Sequence, residues 1–242
     1  MPNHITNVIK FNCSVEKFTE IANFLKGGDD KEFGSVDFNQ LIPMPESLNI
    51  EAGSRGETGY RAYLEFLQQS SKYKRASTKE KLEESFRDRF KNDPEIWELG
   101  KQYYENIKLY GVPHWYDWCC DHWGTKWNAY DCTPVTPEER NLIFLTAWDG
   151  VPEIVLEISK KYPDVEIEYK YADEDFGSNV GTIHFYDGEV ECDDFPDWGS
   201  NEAIEMAAEV MGVDPSEYGY VKNEHGDYEW HDPWEDENEN ED

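Results

Sequence analysis

The chain has 242 residues, of which 38% are hydrophobic and 15% aromatic, so a few large rings must supply much of its core. No apolar run approaches the roughly 20 residues that span a bilayer, and the first residues lack the pattern of a signal peptide. Its 5 cysteines, an odd number, do not match a secreted disulfide framework. We therefore expect a reduced, cytoplasmic protein with no membrane partner.

The net charge of −31 is concentrated in the second part of the chain. Residues 151–242 carry 4 basic and 29 acidic side chains, whereas residues 1–150 carry 18 basic and 24 acidic ones. Such an excess repels nucleic-acid phosphates and anionic membranes. Direct nucleic-acid binding through the acidic half is therefore not expected. A basic protein surface suits this charge, and so does the simpler interpretation of a well-solvated acidic protein.

The first elements predict a strand, a helix and a second strand. Residues 5–12 are rich in β-branched and aromatic side chains, which is typical of a strand. Ser14 is a suitable helix cap, and the pair Gly27-Gly28 ends the helix that follows. Residues 36–42 alternate well enough to predict another strand. Together these segments indicate one β-α-β unit.

A helical insertion is predicted at about residues 57–111, after a polar loop at 46–60. Apolar residues recur there at helical spacing. The insertion also holds a cluster of basic side chains: Lys72, Lys74, Arg75, Lys79, Lys81, Arg87, Arg89 and Lys91. Acidic residues lie between them, which favours a solvated helix face. The alternative is a patch that binds acidic ligands.

Four tryptophans fall within the segment His114–Asp131: Trp115, Trp118, Trp123 and Trp127. Large rings are costly to leave in water, so this segment is expected to form a core or the wall of a pocket. Residues 127–131 are interpreted as a short strand. Alternation along that strand predicts that Trp127 is buried and that Lys126 points away from the core.

The remaining predicted elements are a strand at 142–148, a helix beginning at Pro152, a strand at 165–171, a hairpin of 181–186 with 189–192, and a helix capped by Ser200. Asp187-Gly188 between the hairpin strands is a strong turn signal. Two β-α-β units, residues 5–42 and 142–171, predict an α+β fold with a ferredoxin-like (split β-α-β) antiparallel sheet. We expect a single domain over residues 1–223 and an acidic, disordered tail over 224–242.

Two groups of residues were considered as metal ligands. The first has soft-metal chemistry and comprises His114, Cys119, Cys120, His122 and Cys132. No CxxC pair is present, so core packing is favoured over a zinc site. The second group, Asp173-Glu174-Asp175 and Asp193-Asp194, lacks the spacing of a calcium loop, which favours solvated turns. No metal and no cofactor is predicted.

Several blocks resemble a known family. They are Pro2-Asn3-His4, Ile42-Pro43-Met44-Pro45, Trp123-Gly124-Thr125-Lys126-Trp127-Asn128-Ala129 and Thr146-Ala147-Trp148. The chain resembles the YubB-like ferredoxin-domain proteins of plasmids, phages and prophages. The resemblance implies a ferredoxin-like fold and supplies no catalytic residues. The WGTKWNA block is its most specific part and is expected to be structural.

No residue pattern demands an enzyme, so a non-catalytic role is favoured and no catalytic residue is predicted. We expect a phage or mobile-element protein that binds and blocks a host protein with a basic surface, as a nucleic-acid mimic of the anti-defence type. The predicted binding residues are the carboxylates Glu166, Glu168, Asp173, Glu174, Asp175, Glu189, Glu191, Asp193 and Asp194. Two alternatives remain open. One is a peptide- or nucleic-acid-binding module that uses an aromatic sheet or the basic insertion, and the other is an enzyme or zinc protein.

Overall fold

The computed structural model describes residues 2–232. Its strands are β1 (His4–Asn12), β2 (Asn141–Ala147), β3 (Glu166–Asp173), β4 (Val180–Tyr186), β5 (Glu189–Asp194), β6 (Tyr220–Lys222) and β7 (Tyr228–Trp230). Its α-helices are α1 (Val15–Leu25), α2 (Ser54–Ser70), α3 (Ala76–Arg89), α4 (Glu95–Tyr110), α5 (Trp115–Trp123), α6 (Pro152–Lys161) and α7 (Asn201–Met211). The prediction of an α+β chain is confirmed.

The chain divides into two compact units. One unit comprises the chain up to Pro43 together with the chain from His122 onward, and the other comprises Met44–Asp121. The first unit contains a five-stranded sheet in the order β2-β1-β3-β4-β5. Every neighbouring pair in it is antiparallel. Strands β2 and β3 lie on either side of β1, which is the split arrangement that the sequence predicts.

Strict alternation along β1 places Ile5 and Ile9 on one buried face of this sheet. Helices α1 and α6 pack on that face, where Phe11 contacts Phe18 of α1 and Tyr169 bonds to the start of α6. Helix α7 packs on the opposite face, against a cluster that includes Ala172. Beyond the part that α7 covers, this face of the sheet carries polar side chains such as Lys10, Glu168 and His184.

The predicted strand at residues 36–42 is wrong, because a 3₁₀ helix occupies Phe38–Gln40. The Asp37 side chain accepts the backbone N–H of Asn39 at 3.0 Å, and Asn128 Oδ1 accepts that of Phe38 at 2.9 Å. Backbone N–H groups that donate to side chains are not available for the hydrogen bonds between strands. The next strand of the sheet after β1 is instead β2, which begins almost 100 residues after this segment.

The short strand predicted at residues 127–131 is also absent from the described structure. Only Tyr130 pairs with the sheet there, through an isolated bridge to Leu145. The predicted hairpin is confirmed, since Asp187 and Gly188 adopt φ angles of 51° and 73° between β4 and β5. Positive φ at both central residues is what a tight hairpin turn of this kind requires.

The helical unit is longer than the insertion predicted at about residues 57–111. Helix α2 begins within the predicted loop at 46–60, and packs closely on α4. A Cβ atom added to Gly59 would lie 1.9 Å from the carbonyl oxygen of Ile96, so the two backbones approach at a position that only glycine permits. Phe66, Phe86 and Trp97 form the buried cluster of this unit.

The acidic tail predicted from residue 224 contains ordered structure at its start. Strand β7 pairs antiparallel with β6, and the backbone N–H of Tyr228 donates to Asn201 Oδ1 at 2.9 Å. Tyr228 also packs against the cluster beneath α7. The expectation of disorder is therefore wrong for β7. The remainder of the predicted tail, residues 233–242, lies outside the described residues.

Candidate functional site

An open groove of about 420 Å³ lies along the polar face of the sheet, beside α7. We call it the acidic groove. Six carboxylates and one lysine line it: Glu168, Asp193, Asp194, Glu202, Glu205, Glu209 and Lys170. Thr182, His184, Cys192 and Met206 complete the lining. Within residues 2–232 this arrangement brings together strand acids that the sequence singled out and helix acids that it did not.

The strand register explains why Glu168, Lys170, Cys192 and Asp194 share one face, whereas Asp193 lies opposite Ile183 and points its side chain to the other face of the sheet. Glu168 lies opposite His184, and His184 lies opposite Cys192 on β5. Two residues earlier on β4, Thr182 lies opposite Lys170 on one side and Asp194 on the other. Directly opposed residues in antiparallel strands point to the same side, so both rows face the groove.

Lys170 is the cation at the floor of the acidic groove. Its Nζ donates to Glu209 Oε1 at 2.5 Å and lies 3.3 Å from Glu168 Oε1. Burial alone would lower the pKa of Lys170, but the hydrogen bond to Glu209 and the charge of Glu168 outweigh it and raise the pKa. Lys170 therefore stays protonated and offsets part of the charge of these two carboxylates.

Helix α7 supplies the other wall of the groove. Ser200 Oγ accepts the N–H of Ala203 at 3.1 Å and caps the helix, and Ile204 and Ala207 face the core. Glu202, Glu205 and Glu209 then recur at helical spacing on the groove side. Sequence reasoning missed them, although their spacing of three and four residues on the face opposite the apolar positions is a readable signal.

The predicted acids on β5 are on the surface, since every residue of this edge strand is exposed. Asp193 and Asp194 line the acidic groove, whereas Glu189 and Glu191 lie nearer the hairpin turn. Glu166 lies at the start of β3, where it accepts a hydrogen bond from Asn12 Nδ2 at 2.8 Å. It belongs to a neighbouring cleft of about 350 Å³, which also contains the basic side chains of Lys10 and Arg140.

Asp173, Glu174 and Asp175 do not line the acidic groove. Asp173 is only 5% exposed, and its Oδ1 accepts hydrogen bonds from Asn3 Nδ2 at 3.1 Å and from the N–H of Asp175 at 2.8 Å. Burial raises the pKa of Asp173. This carboxylate organises the turn after β3, so it does not present its charge to a partner.

Three residues of the WGTKWNA block make buried or half-buried contacts. Trp123 Nε1 donates to the carbonyl oxygen of Ile42 at 2.9 Å. Thr125 Oγ1 donates to the Ala147 carbonyl oxygen at 2.8 Å and accepts the Ala147 N–H at 3.1 Å. Asn128 Nδ2 donates to Asp37 Oδ1 at 2.6 Å. These bonds tie the block to the end of β2 and to the 3₁₀ helix.

Asp37 is the acceptor at the centre of these contacts. Burial by itself would raise its pKa, but hydrogen bonds from Asn128, Asn39 and Gln40 outweigh that effect and lower the pKa. The carboxylate is therefore held ionised as a structural acceptor in the loop between α1 and the 3₁₀ helix.

The prediction that Trp127 is buried is wrong, because 38% of it is exposed. The Lys126 side chain lies beside this exposed ring. Its Nζ lies 4.4 Å from the centroid of the Trp127 ring and 5.1 Å from that of Trp148, which is 42% exposed. With only a single β-bridge in this stretch, the alternation of a strand does not apply to it.

The soft-metal residues show no metal geometry in the part of the chain that the structure describes. No group of three or more His, Cys, Asp or Glu side chains within residues 2–232 is arranged to hold a metal ion. Cys119 is buried, and burial raises its pKa to about 12, so it remains a neutral thiol. His114 is 9% exposed and packs edge-on against Tyr103.

Two arginines of the basic insertion are engaged within the helical unit. Arg87 pairs with Glu83 and Glu98 at 3.2 Å, and Arg89 pairs with Glu65 at 2.8 Å. These internal pairs reduce the positive charge that α3 offers to a nucleic acid. Within residues 2–232, no helix is both long and apolar enough to cross a membrane.

Residues 122–214 match a family model described as the ferredoxin-like domain in Api92-like protein. The fold is ferredoxin-like. The matched segment contains β2 to β5, α6 and α7, and hence every residue that lines the acidic groove. The chain is also similar to the crystal structure of a protein api92 from Yersinia pseudotuberculosis, with 11% identity, a TM-score of 0.38, and coverage of 81% of this chain and 98% of that chain. No curated protein matches the chain.

Proposed function

We propose that this chain is a non-catalytic accessory protein of a phage or other mobile element that binds a host protein through the acidic groove. The groove would occupy a Lys/Arg surface of the partner and block the ligand that normally binds there. The observation that carries this proposal is the excess of carboxylates at the groove: six line it, against the lining Lys170 and two flanking lysines, Lys10 at 3.6 Å from Glu168 and Lys222 at 2.7 Å from Glu205. The resemblance to YubB-like proteins supports the mobile-element context.

Rigid elements support the proposal, because both walls of the groove are regular structure. Asp193 and Asp194 lie on a strand paired to the sheet, and Glu202 and Glu205 lie on a capped helix packed on its core. The backbone that carries these carboxylates is fixed, so binding has to order only their side chains. A basic partner therefore meets a preorganised negative surface.

The spacing of the carboxylates supports mimicry of a nucleic-acid strand. Glu202, Glu205 and Glu209 follow α7 at axial steps of about 4.5–6 Å. Phosphate charges along one strand form a similar regular row, about 3.4 Å apart along the helix axis, which a groove that binds DNA or RNA is built to contact.

The test begins with affinity capture of a partner from nuclease-treated host lysate, followed by measurement of its dissociation constant at several salt concentrations. We then replace Asp194→Asn, Glu202→Gln and Glu205→Gln together, three carboxylates on the walls of the groove. The expected result is an affinity loss of about tenfold or more with a shallower salt dependence, because charge pairs at an interface are lost. A nucleic acid should also compete with the chain for the captured partner.

The matched control carries the same change in net charge outside the groove, through Asp29→Asn, Glu32→Gln and Glu138→Gln. These three residues are exposed, and none of them lines the groove. The control should keep the affinity and the salt dependence of the unmodified chain. If the groove variant and the control behave alike, the groove is not the binding surface. If nucleic acid does not compete, the mimicry is wrong.

A further inference from the structure

Two exposed tryptophans flank one ammonium group at the other end of β1 from the Glu166 cleft. Lys126 Nζ lies within 5.1 Å of the ring centroids of both Trp127 and Trp148. The two rings are 38% and 42% exposed. An indole face attracts cations through its quadrupole, and tryptophan is the strongest of the aromatic side chains in this respect.

Trp148 is held in a backbone conformation that a bulky side chain rarely adopts, with φ at +75°. Two hydrogen bonds fix it there, from its N–H to the Asn3 carbonyl oxygen at 3.0 Å and from Asn179 Nδ2 to its own carbonyl oxygen at 3.3 Å. Glycine or asparagine would suit this position better. Strained positions that the surroundings hold in place concentrate at binding sites, and here the strain presents a ring at the surface.

The charges around these rings favour a cation. Asp149 follows Trp148 directly, and its Oδ1 accepts the N–H of Gly150 at 2.8 Å. A second carboxylate, that of Glu153, lies beside the WGTKWNA block, because a Cβ atom on Gly124 would be 3.3 Å from Glu153 Oε2. A third carboxylate, that of Asp131, lies close to Tyr130, whose ring contacts Trp127. An anionic ligand would be repelled by these carboxylates.

We propose that Trp127 and Trp148 form a binding site for an arginine side chain of a basic partner, and that Lys126 occupies this site in the unbound chain. The guanidinium group suits the site because it is planar and stacks on aromatic faces more readily than an ammonium. On binding, the arginine replaces the Lys126 ammonium between the rings. This inference goes beyond the acidic groove, because the site needs a single cation and none of the groove residues.

The test titrates N-acetyl-arginine amide into the full chain and follows the indole N–H signals by two-dimensional NMR. The Trp127 and Trp148 signals are assigned from Trp127→Phe and Trp148→Phe variants. Both signals should shift and saturate together. In Lys126→Ala the internal competitor is gone, so the apparent affinity should rise about two- to fivefold, the effect of one exposed cation–π contact. N-acetyl-glutamine amide, which is planar but neutral, serves as the ligand control.

A Trp148→Asn variant separates binding from folding, since asparagine tolerates the left-handed backbone. It should keep the sheet signals of the spectrum and lose the saturable shift of Trp127. Three results would overturn the proposal: no saturable shift in the Lys126→Ala chain, an equal response to the neutral amide, or unchanged binding in Trp148→Asn. Because the groove is intact in all these variants, the outcome is independent of the groove test.

Discussion

The hydroxyl group of Tyr169 donates a hydrogen bond to Asn7 Oδ1 at 2.6 Å in the fully buried centre of the sheet. The hydroxyl oxygen of Tyr169 also accepts the backbone N–H of Val151 at 2.6 Å, just before α6 begins. Asn7 Nδ2 in turn donates to Thr146 Oγ1 at 2.8 Å. One network of buried polar groups therefore joins β1, β2 and β3 to the start of α6, and burial raises the pKa of Tyr169 well above its usual value.

Removal of the Tyr169 hydroxyl should destabilise the chain. Tyr169→Phe leaves the Val151 N–H and the side-chain amide oxygen (Oδ1) of Asn7 without this partner, and an unsatisfied buried group costs about 1–3 kcal/mol. Chemical denaturation measures the free energy of unfolding. Tyr186→Phe is the control, because Tyr186 is 44% exposed and should change little. Equal stabilities of the two variants would show that the network contributes nothing.

The two tryptophans of the WGTKWNA block should differ sharply in their contribution to stability. Trp123 is 3% exposed and contacts Phe38 edge-on, so Trp123→Ala should cost about 3–5 kcal/mol, as ring truncations in cores do. Trp127→Ala should cost clearly less, because the ring is already 38% exposed. Thermal melts of both variants decide this, and a larger loss for Trp127→Ala would contradict the structure.

Neutralisation of Asp173 should stabilise the chain at pH 7. Both of its hydrogen bonds go to Oδ1, so the carbonyl oxygen of an asparagine can accept both. Because burial raises the folded-state pKa of Asp173, the ionised carboxylate carries a penalty above that pKa. The penalty disappears as the pH falls below the unfolded value near 3.8.

Unfolding of the unmodified chain and of Asp173→Asn is therefore compared between pH 7 and pH 3. The variant should be more stable at pH 7, and the difference should vanish at pH 3. A variant that is less stable at pH 7 would show that the ionised carboxylate favours the fold.

The backbone strain at Trp148 can be measured from two truncations of the same ring. Trp148→Ala and Trp148→Gly both remove the indole, but only alanine keeps a Cβ atom at a φ of +75°. The glycine variant should be the more stable by about 1 kcal/mol, the cost of a left-handed L-residue. A more stable alanine variant in denaturant titrations would argue against a strained position.

Strand β7 should contribute to the stability of the sheet unit. A chain that ends after Glu224 lacks β7, the bond from Tyr228 to Asn201, and the bond from the His231 N–H to the Gly219 carbonyl oxygen at 2.7 Å. It should melt at a lower temperature than a chain that ends after Asp232. Calorimetry compares the two truncations, and equal midpoints would show that β7 does not stabilise the fold.

The local pattern of the sequence determined most elements of the sheet. The apolar alternation of β1 and β3, the turn at Asp187-Gly188 and the proline that opens α6 act through neighbours in the chain, so they are readable without tertiary context. The same patterns were enough for the α+β fold class. The unit at 142–171 also indicated the split β-α-β arrangement, whereas the unit predicted at 5–42 lacks its second strand.

The tertiary structure decided the features that depend on distant residues. Residues 36–42 alternate like a strand, yet Asn128, some 90 residues away, takes the N–H of Phe38 and favours a 3₁₀ helix. Trp127 was expected in the core and lies at the surface, because only a single bridge pairs this stretch with the sheet. Composition alone identifies the rings and the acids but not their surroundings.

The candidate site shows the same division. The acidic character of residues 151–242 and most of the strand carboxylates are visible in the sequence. Asp173 was expected to face a partner, but the turn that it holds buries it. Only the packing of α7 on the sheet brings Glu202, Glu205 and Glu209 opposite the acids of β5. Charge is a property of each residue, whereas a groove requires two elements that the chain brings together only when it folds.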